Sequence, residues 1–179
     1  MSRINKLSIS DIEIENRSNI SDSELPNKNQ ILEFISKALD IKNGPYFNNN
    51  KNYNNKLNII TKKDYPVTTI CYVTNSEMQE INKKFRDKDK HTNILSFPPT
   101  PPPGFKYEAY IGDLVLAPDV IKQEAVNQNK KSLDHYAHLF IHGVLHLKGY
   151  NHIKDNDAKI MEDLEIELLG YLNIDNPYK

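Results

Sequence analysis

The sequence contains one cysteine, Cys71, so neither an intramolecular disulfide nor a cysteine-based zinc site can be built from it. It has no apolar run long enough to span a bilayer as a helix. The opening residues MSRINKLSISDIEIEN lack the apolar stretch of a signal peptide and instead alternate apolar and polar positions, which predicts a strand. Excess charge is missing as well. With 23 Lys and Arg against 24 Asp and Glu, the formal net charge is -1. No global basic field announces a nucleic-acid partner, so any such contact must come from a local groove. Apolar residues make up only 38% of the chain, and the deficit is concentrated in a few polar segments. The 179 residues suit one domain with a continuous core. A reducing, cytoplasmic location away from membranes is the expectation.

The pattern of elements points to an α+β domain over residues 1–179, with one small mixed β-sheet covered by helices. Leu7, Ile9, Ile12 and Ile14 suggest a strand with an irregularity near Ser10-Asp11. Ile31, Phe34, Ile35, Ala38 and Leu39 have helical spacing between Pro26 and Ile41. An asparagine-rich stretch at about 43–56 buries too little to offset its ordering entropy, and reads as a solvated low-complexity insertion. LNIIT and PVTTICYVT predict two strands, and Asn75 or Ser76 is the expected cap of a helix running through Phe85. ILSF and IGDLVLA predict two more strands, separated by the proline-stiffened loop FPPTPPPG. Pro118-Asp119 opens a further helix, and two last helices are expected from about Ser132 to Lys148 and from Asp155 to Tyr171.

The stretch LDHYAHLFIHGVLHLKGYNH carries the chemistry. Leu133, Tyr136, Ala137, Phe140, Ile141, Val144 and Leu145 form an apolar helical face, and His135, His138, His142 and His146 run along a second stripe. Histidines at i and i+4 lie about 6 Å apart along the axis and can share one ion, whereas His138 and His146, separated by roughly 12 Å of rise, cannot. Gly149 selects the pair. It stands where a helix ends with positive φ, so the chain can reverse and carry His152 back toward His142 and His146. The resulting pattern, His142-x-x-x-His146-x-x-Gly149-x-x-His152, has the spacing of the extended zincin motif, with Gly143 in place of its glutamate. Three imidazoles with an open fourth position suit a catalytic zinc ion. His135 and His138 read as structural. Gly143 cannot act as the peptidase base, and a glycine there is expected to open space above the metal for a bulky substrate.

HGVLHLKGYNH resembles the signature of the YbeY endoribonuclease family, bacterial enzymes of ribosomal RNA maturation and ribosome quality control. Upstream, INKKFRDKDKHTNILSFP and IGDLVLAP resemble two further motifs of that family, in the expected order, so the likeness covers roughly Tyr65 to Leu169. It implies a single-domain α+β fold, one zinc ion on His142, His146 and His152, and cleavage of single-stranded RNA, with ribosomal RNA and the ribosome or its small subunit as partners. It also implies that Arg86 is important for activity. A guanidinium there can grip phosphate oxygens bidentately. Asn151 stands where the family commonly has aspartate, which puts metal orientation in question. His91 replaces a usual proline, so the loop after Lys90 is expected to be less rigid.

Asp113 reads as a turn-capping residue rather than a general base or a partner of a metal ligand. The reading is therefore metal-assisted phosphodiester hydrolysis on a helix end and its following turn, with either an activated water or the RNA 2′-hydroxyl as nucleophile. Aromatic stacking of unpaired bases would give single-strand preference, yet no aromatic cluster in the sequence marks the platform. Two rivals remain: a metallopeptidase, and a ribosome-associated binding protein with a structural metal.

Overall fold

The computed structural model describes residues 12–41, 67–100 and 110–179. The expected strand LNIIT, the asparagine-rich stretch, Leu7, Ile9 and the second half of the proline-rich loop lie outside the described residues.

Four strands form one sheet: β1 (Ile12–Asn16), β2 (Thr68–Tyr72), β3 (Ile94–Phe97) and β4 (Gly112–Leu116). Their order is β1-β2-β4-β3. The first two pairings are parallel and β3 runs antiparallel to β4, so the sheet is mixed as expected. Five α-helices accompany them among the described residues: α1 (Lys28–Asp40), α2 (Asn75–Arg86), α3 (Pro118–Asn127), α4 (Ser132–Leu147) and α5 (Asp155–Gly170).

Period-two alternation divides the sheet residues between two apolar layers. Ile70, Tyr72, Leu114 and Leu116 enter the larger core with α1, α4 and α5, while Cys71, Val73, Val115 and Ala117 join Met78 of α2 on the other face. Helices thus cover both sides of β2 and β4, as parallel strands require.

Helix α2 begins one residue earlier than the sequence suggested, because Thr74 is its cap. Its hydroxyl accepts from the Glu77 N–H at 3.2 Å while the Glu77 carboxylate accepts from the Thr74 N–H at 3.3 Å. This reciprocal capping box satisfies two otherwise orphaned donors; Ser76, three residues before Gln79, has the same pattern in sequence but lies inside the helix.

Helix α4 is the axis of the fold. Tyr136, Ala137, Phe140, Ile141, Val144 and Leu145 are buried as the spacing predicted, whereas Leu133 in the first turn is 40% exposed. Gly143 faces the sheet. A Cβ there would meet Leu114 Cδ2 at 2.7 Å, Ile94 Cδ1 at 2.8 Å and Ser96 Oγ at 3.3 Å. The glycine therefore permits close approach of helix to sheet and opens no space above the histidines, which corrects that expectation. Lys148, buried just past the end of α4, donates from Nζ to the Leu39 carbonyl in the last turn of α1 at 2.8 Å. It thereby caps a carbonyl that has no partner within its own helix.

Candidate metal centre

The end of α4 shows how local sequence positions the site. Gly149 has φ 84°, its N–H donates to the His146 carbonyl at 2.9 Å, and the Tyr150 N–H donates to the Leu145 carbonyl at 3.0 Å. These are the two bonds of a Schellman ending, with half-buried Tyr150 packed on the core beyond it. The turn also orients a side chain: His146 Nδ1 lies 3.0 Å from the Tyr150 carbonyl. A carbonyl only accepts, so Nδ1 carries the proton and Nε2 the lone pair.

The reversal brings His152 back to the helix. Its ring centroid lies 5.4 Å from that of His142 and 5.1 Å from that of His146. One nitrogen from each of the three rings falls within 4.8 Å of the others, so the cluster can hold a metal ion. His142 and His146 are partly buried, while His152 is exposed and leaves the group open to solvent.

The electrostatics of His142 and His146 are specific. His142 Nδ1 lies 2.8 Å from Glu165 Oε1, and its Nε2 lies 3.0 Å from His146 Nε2. Burial would raise the Glu165 pKa, but hydrogen bonds from His138, His142 and the Tyr178 hydroxyl hold it down to about 2. An ionised carboxylate only accepts, so Nδ1 of His142 also carries a proton, directed at Glu165. The two Nε2 atoms, 3.0 Å apart, are then placed to share a proton or to meet one cation. Two imidazole nitrogens bound to one zinc ion at about 2.0–2.1 Å in tetrahedral geometry would be about 3.3 Å apart. The residues fit such an ion. Burial and the neighbouring His142 lower the His146 pKa to about 4, so this imidazole is neutral at pH 7, as a ligand must be.

A second trio, His138, His142 and Glu165, is also close enough to share an ion. Its contacts are better explained as hydrogen bonds of 2.7 Å and 2.8 Å from two imidazoles to separate carboxylate oxygens. Glu165 occupies Nδ1 of His142 and leaves its Nε2 directed at His146. His135 Nε2 lies 2.8 Å from Glu124, which also accepts from Asn93. Both His135 and His138 thus meet carboxylates, in keeping with structural roles.

Arg86, the last residue of α2, is exposed and does not touch the histidines. Its Nη2 donates to the Ser96 carbonyl at 2.9 Å, and the Ser96 hydroxyl donates to the Gly143 carbonyl at 3.2 Å. Two hydrogen bonds through β3 therefore join the guanidinium to the histidine-bearing helix. Its Cζ also lies 5.5 Å from the centre of the Phe97 ring, and that ring meets Phe85 edge-on at 5.2 Å. Phe85 is 53% exposed.

The departures noted in the sequence have local explanations. The Asn151 side-chain carbonyl accepts from the Ile153 N–H at 3.1 Å, an acceptor role that asparagine fills as well as aspartate. Buried Asn82 donates to the Lys90 carbonyl at 2.6 Å and so anchors the loop before His91 despite the missing proline. Asp113 accepts from the Tyr110 hydroxyl and belongs to neither of the two groups able to hold an ion among the described residues. Sequence reasoning missed Glu165 and Tyr178. Glu165 did carry a signal: it shares a helical stripe with Met161, Leu168 and Leu169, all buried, so a carboxylate occupies a core position.

The sequence resembles proteins of a known family. The family described as Endoribonuclease YbeY matches residues 19–173. An Endoribonuclease YbeY of Francisella tularensis subsp. tularensis is 53% identical over 109 residues, 59% of this chain and 67% of that relative. An Endoribonuclease YbeY of Francisella philomiragia is 54% identical over 112 residues, 61% and 71% of the two chains. The solution structure of a Thermotoga maritima protein covers 89% of this chain and 91% of its own length, with 20% identity and a TM-score of 0.46, and nothing about the site follows from so low a score. With the family match spanning most of the sequence and the histidine cluster inside it, the chain belongs to the YbeY family.

Proposed function

We propose that this protein is a metal-dependent endoribonuclease that cleaves single-stranded RNA during ribosomal RNA maturation and ribosome quality control in the bacterial cytoplasm. Its metal ligands in this reading are His142, His146 and His152, and the ion is zinc. The observation that carries the reading is the pair of opposed Nε2 atoms 3.0 Å apart, with His152 beside them, in a chain of this family.

When bound, such an ion supplies Lewis acidity and positive charge at the scissile phosphodiester. The chain's own residues supply the rest. Arg86 is held by the Ser96 carbonyl and the Phe97 ring, so its remaining N–H groups are available to oppose the charge that grows on the phosphoryl oxygens. Exposed Phe85, with Lys84 Nζ 5.3 Å from its ring centre, offers a stacking surface for an unpaired base beside cations that attract the backbone. A duplex would not be a substrate, because its bases are already stacked and paired. Gly143 removes the peptidase base, and its packing against Leu114 and Ile94 leaves no room to restore one.

The test incubates zinc-loaded wild type, Arg86→Ala and His142→Ala separately with labelled single-stranded RNA, duplex RNA and unfolded casein. The expected result is slow cleavage of unpaired RNA alone, lowered about 100-fold or more by Arg86→Ala with little change in melting temperature. Casein digestion by the wild type would move the assignment to a peptidase. RNA bound but left intact by zinc-loaded wild type, with ribosomes added, would move it to a binding protein.

A further inference from the structure

We infer that Glu165 is the positioning residue of the metal centre, fixing the proton of His142 on Nδ1, and that the C-terminal segment holds Glu165 in place through Tyr178. This rests on the ligand assignment proposed above.

Glu165 is 1% exposed and lies on α5, a different helix from the histidines. A buried carboxylate must have its lone pairs met, and here three donors converge on it. His142 Nδ1 approaches Oε1 at 2.8 Å, His138 Nε2 approaches Oε2 at 2.7 Å, and the Tyr178 hydroxyl donates to Oε2. The His138 ring also packs edge-on against Tyr178 with centroids 5.7 Å apart. Lys130 Nζ donates to the Pro177 carbonyl at 2.8 Å, which ties the residue before Tyr178 to the turn between α3 and α4.

Two ligands thus have different supports. His146 is oriented by its own turn, through the Tyr150 carbonyl, and needs nothing distant. His142 is oriented across helices, by a charge that also makes its imidazole a stronger donor to a cation. His138, which lies on the ligand stripe, serves here as a clamp on the carboxylate. Its Nδ1 is buried with no hydrogen-bond partner among the described residues, so its only productive nitrogen is the one on Glu165.

The experiment measures zinc affinity by competition with a chromophoric chelator for wild type, Glu165→Gln, Tyr178→Phe and His142→Ala. It also records the visible spectrum of each cobalt-substituted protein. Glu165→Gln keeps the size but removes the charge and turns one of the two accepting oxygens into an NH2 donor, so affinity should fall about 10- to 100-fold with an altered cobalt spectrum. Tyr178→Phe should cost several-fold, because one of three supports is lost. Melting of the metal-free proteins reports whether each variant is folded. Wild-type zinc affinity in a folded Glu165→Gln protein would overturn the inference, and wild-type affinity in Tyr178→Phe would overturn the part assigned to the C-terminal segment. Nitrogen-15 NMR of metal-free wild type tests the claim without a variant, and decides it if Glu165→Gln does not fold. His142 should be the Nδ1–H tautomer above pH 7, and an Nε2–H tautomer would overturn the inference. If His142→Ala binds zinc as tightly as wild type, the ligand assignment itself fails. If His142→Ala loses zinc and folded Glu165→Gln does not, only the role of Glu165 fails.

Discussion

In the first half of α4, His135 and His138 turn Nε2 toward the carboxylates of Glu124 and Glu165, while in the second half His142 and His146 turn Nε2 toward each other. One helix and one residue type give two outcomes, and the difference lies in which ring nitrogen is already committed. Nε2 is at the tip of the ring and Nδ1 close to the backbone. A carboxylate on Nε2 leaves only Nδ1, and in His135 and His138 that atom is buried without a hydrogen-bond partner among the described residues. A partner on Nδ1 leaves the tip free to meet an ion. Glu165 draws the boundary, because it takes the tip of His138 and the base of His142.

The strongest way to break this comparison is to remove each kind of histidine in turn. The His142→Ala/His146→Ala double variant should retain no zinc after dialysis, whereas His135→Ala should keep one ion per chain, as measured by elemental analysis of the purified proteins. Full occupancy in the double variant would erase the distinction between the two halves.

A second test fills the face beside the ligands. Gly143→Glu restores the sequence of a zincin peptidase, but drives a carboxylate between Leu114 and Ile94. Destabilisation of about 3 kcal/mol or more is expected in urea unfolding, with no gain of casein digestion. A stable variant that digests casein would mean that position 143 faces the site and not the sheet.

The smallest effect sharpens the comparison by pH. The His146 pKa falls from its ordinary 6.5 to about 4, first through burial and then through His142. Between those values the unfolded chain binds more protons than the folded one, so stability falls as pH is lowered through that window. The metal-free protein should lose up to about 3 kcal/mol between pH 6.5 and 4, and His146→Ala should flatten much of that slope in urea titrations. An equal slope in the variant would show that other groups cause it.

Much of this was legible in residue order. The Gly149 turn, the three ligating candidates and the inward face of α4 follow from helical periodicity and one glycine, since all of them depend on contacts within a few residues. The Thr74 cap was legible too, as a threonine three residues before a glutamate, but the asparagine and serine beside it are equally good caps by composition alone. Leu133 fitted the apolar stripe yet lies exposed in the first turn, because burial there depends on which element covers the helix end.

Sequence by itself determined which residues could meet an ion, because spacing along a helix and a left-handed turn fix their reach. Tertiary structure alone decided how their protons are arranged. Glu165 is 23 residues from His142, and Tyr178 is 13 from Glu165. No local rule predicts that α5 and the C-terminal segment fold back to place a carboxylate behind one imidazole. The same holds for Gly143. Its lack of a side chain was plain in the sequence, but whether it faced substrate or sheet depended on how closely α4 packs against β3 and β4.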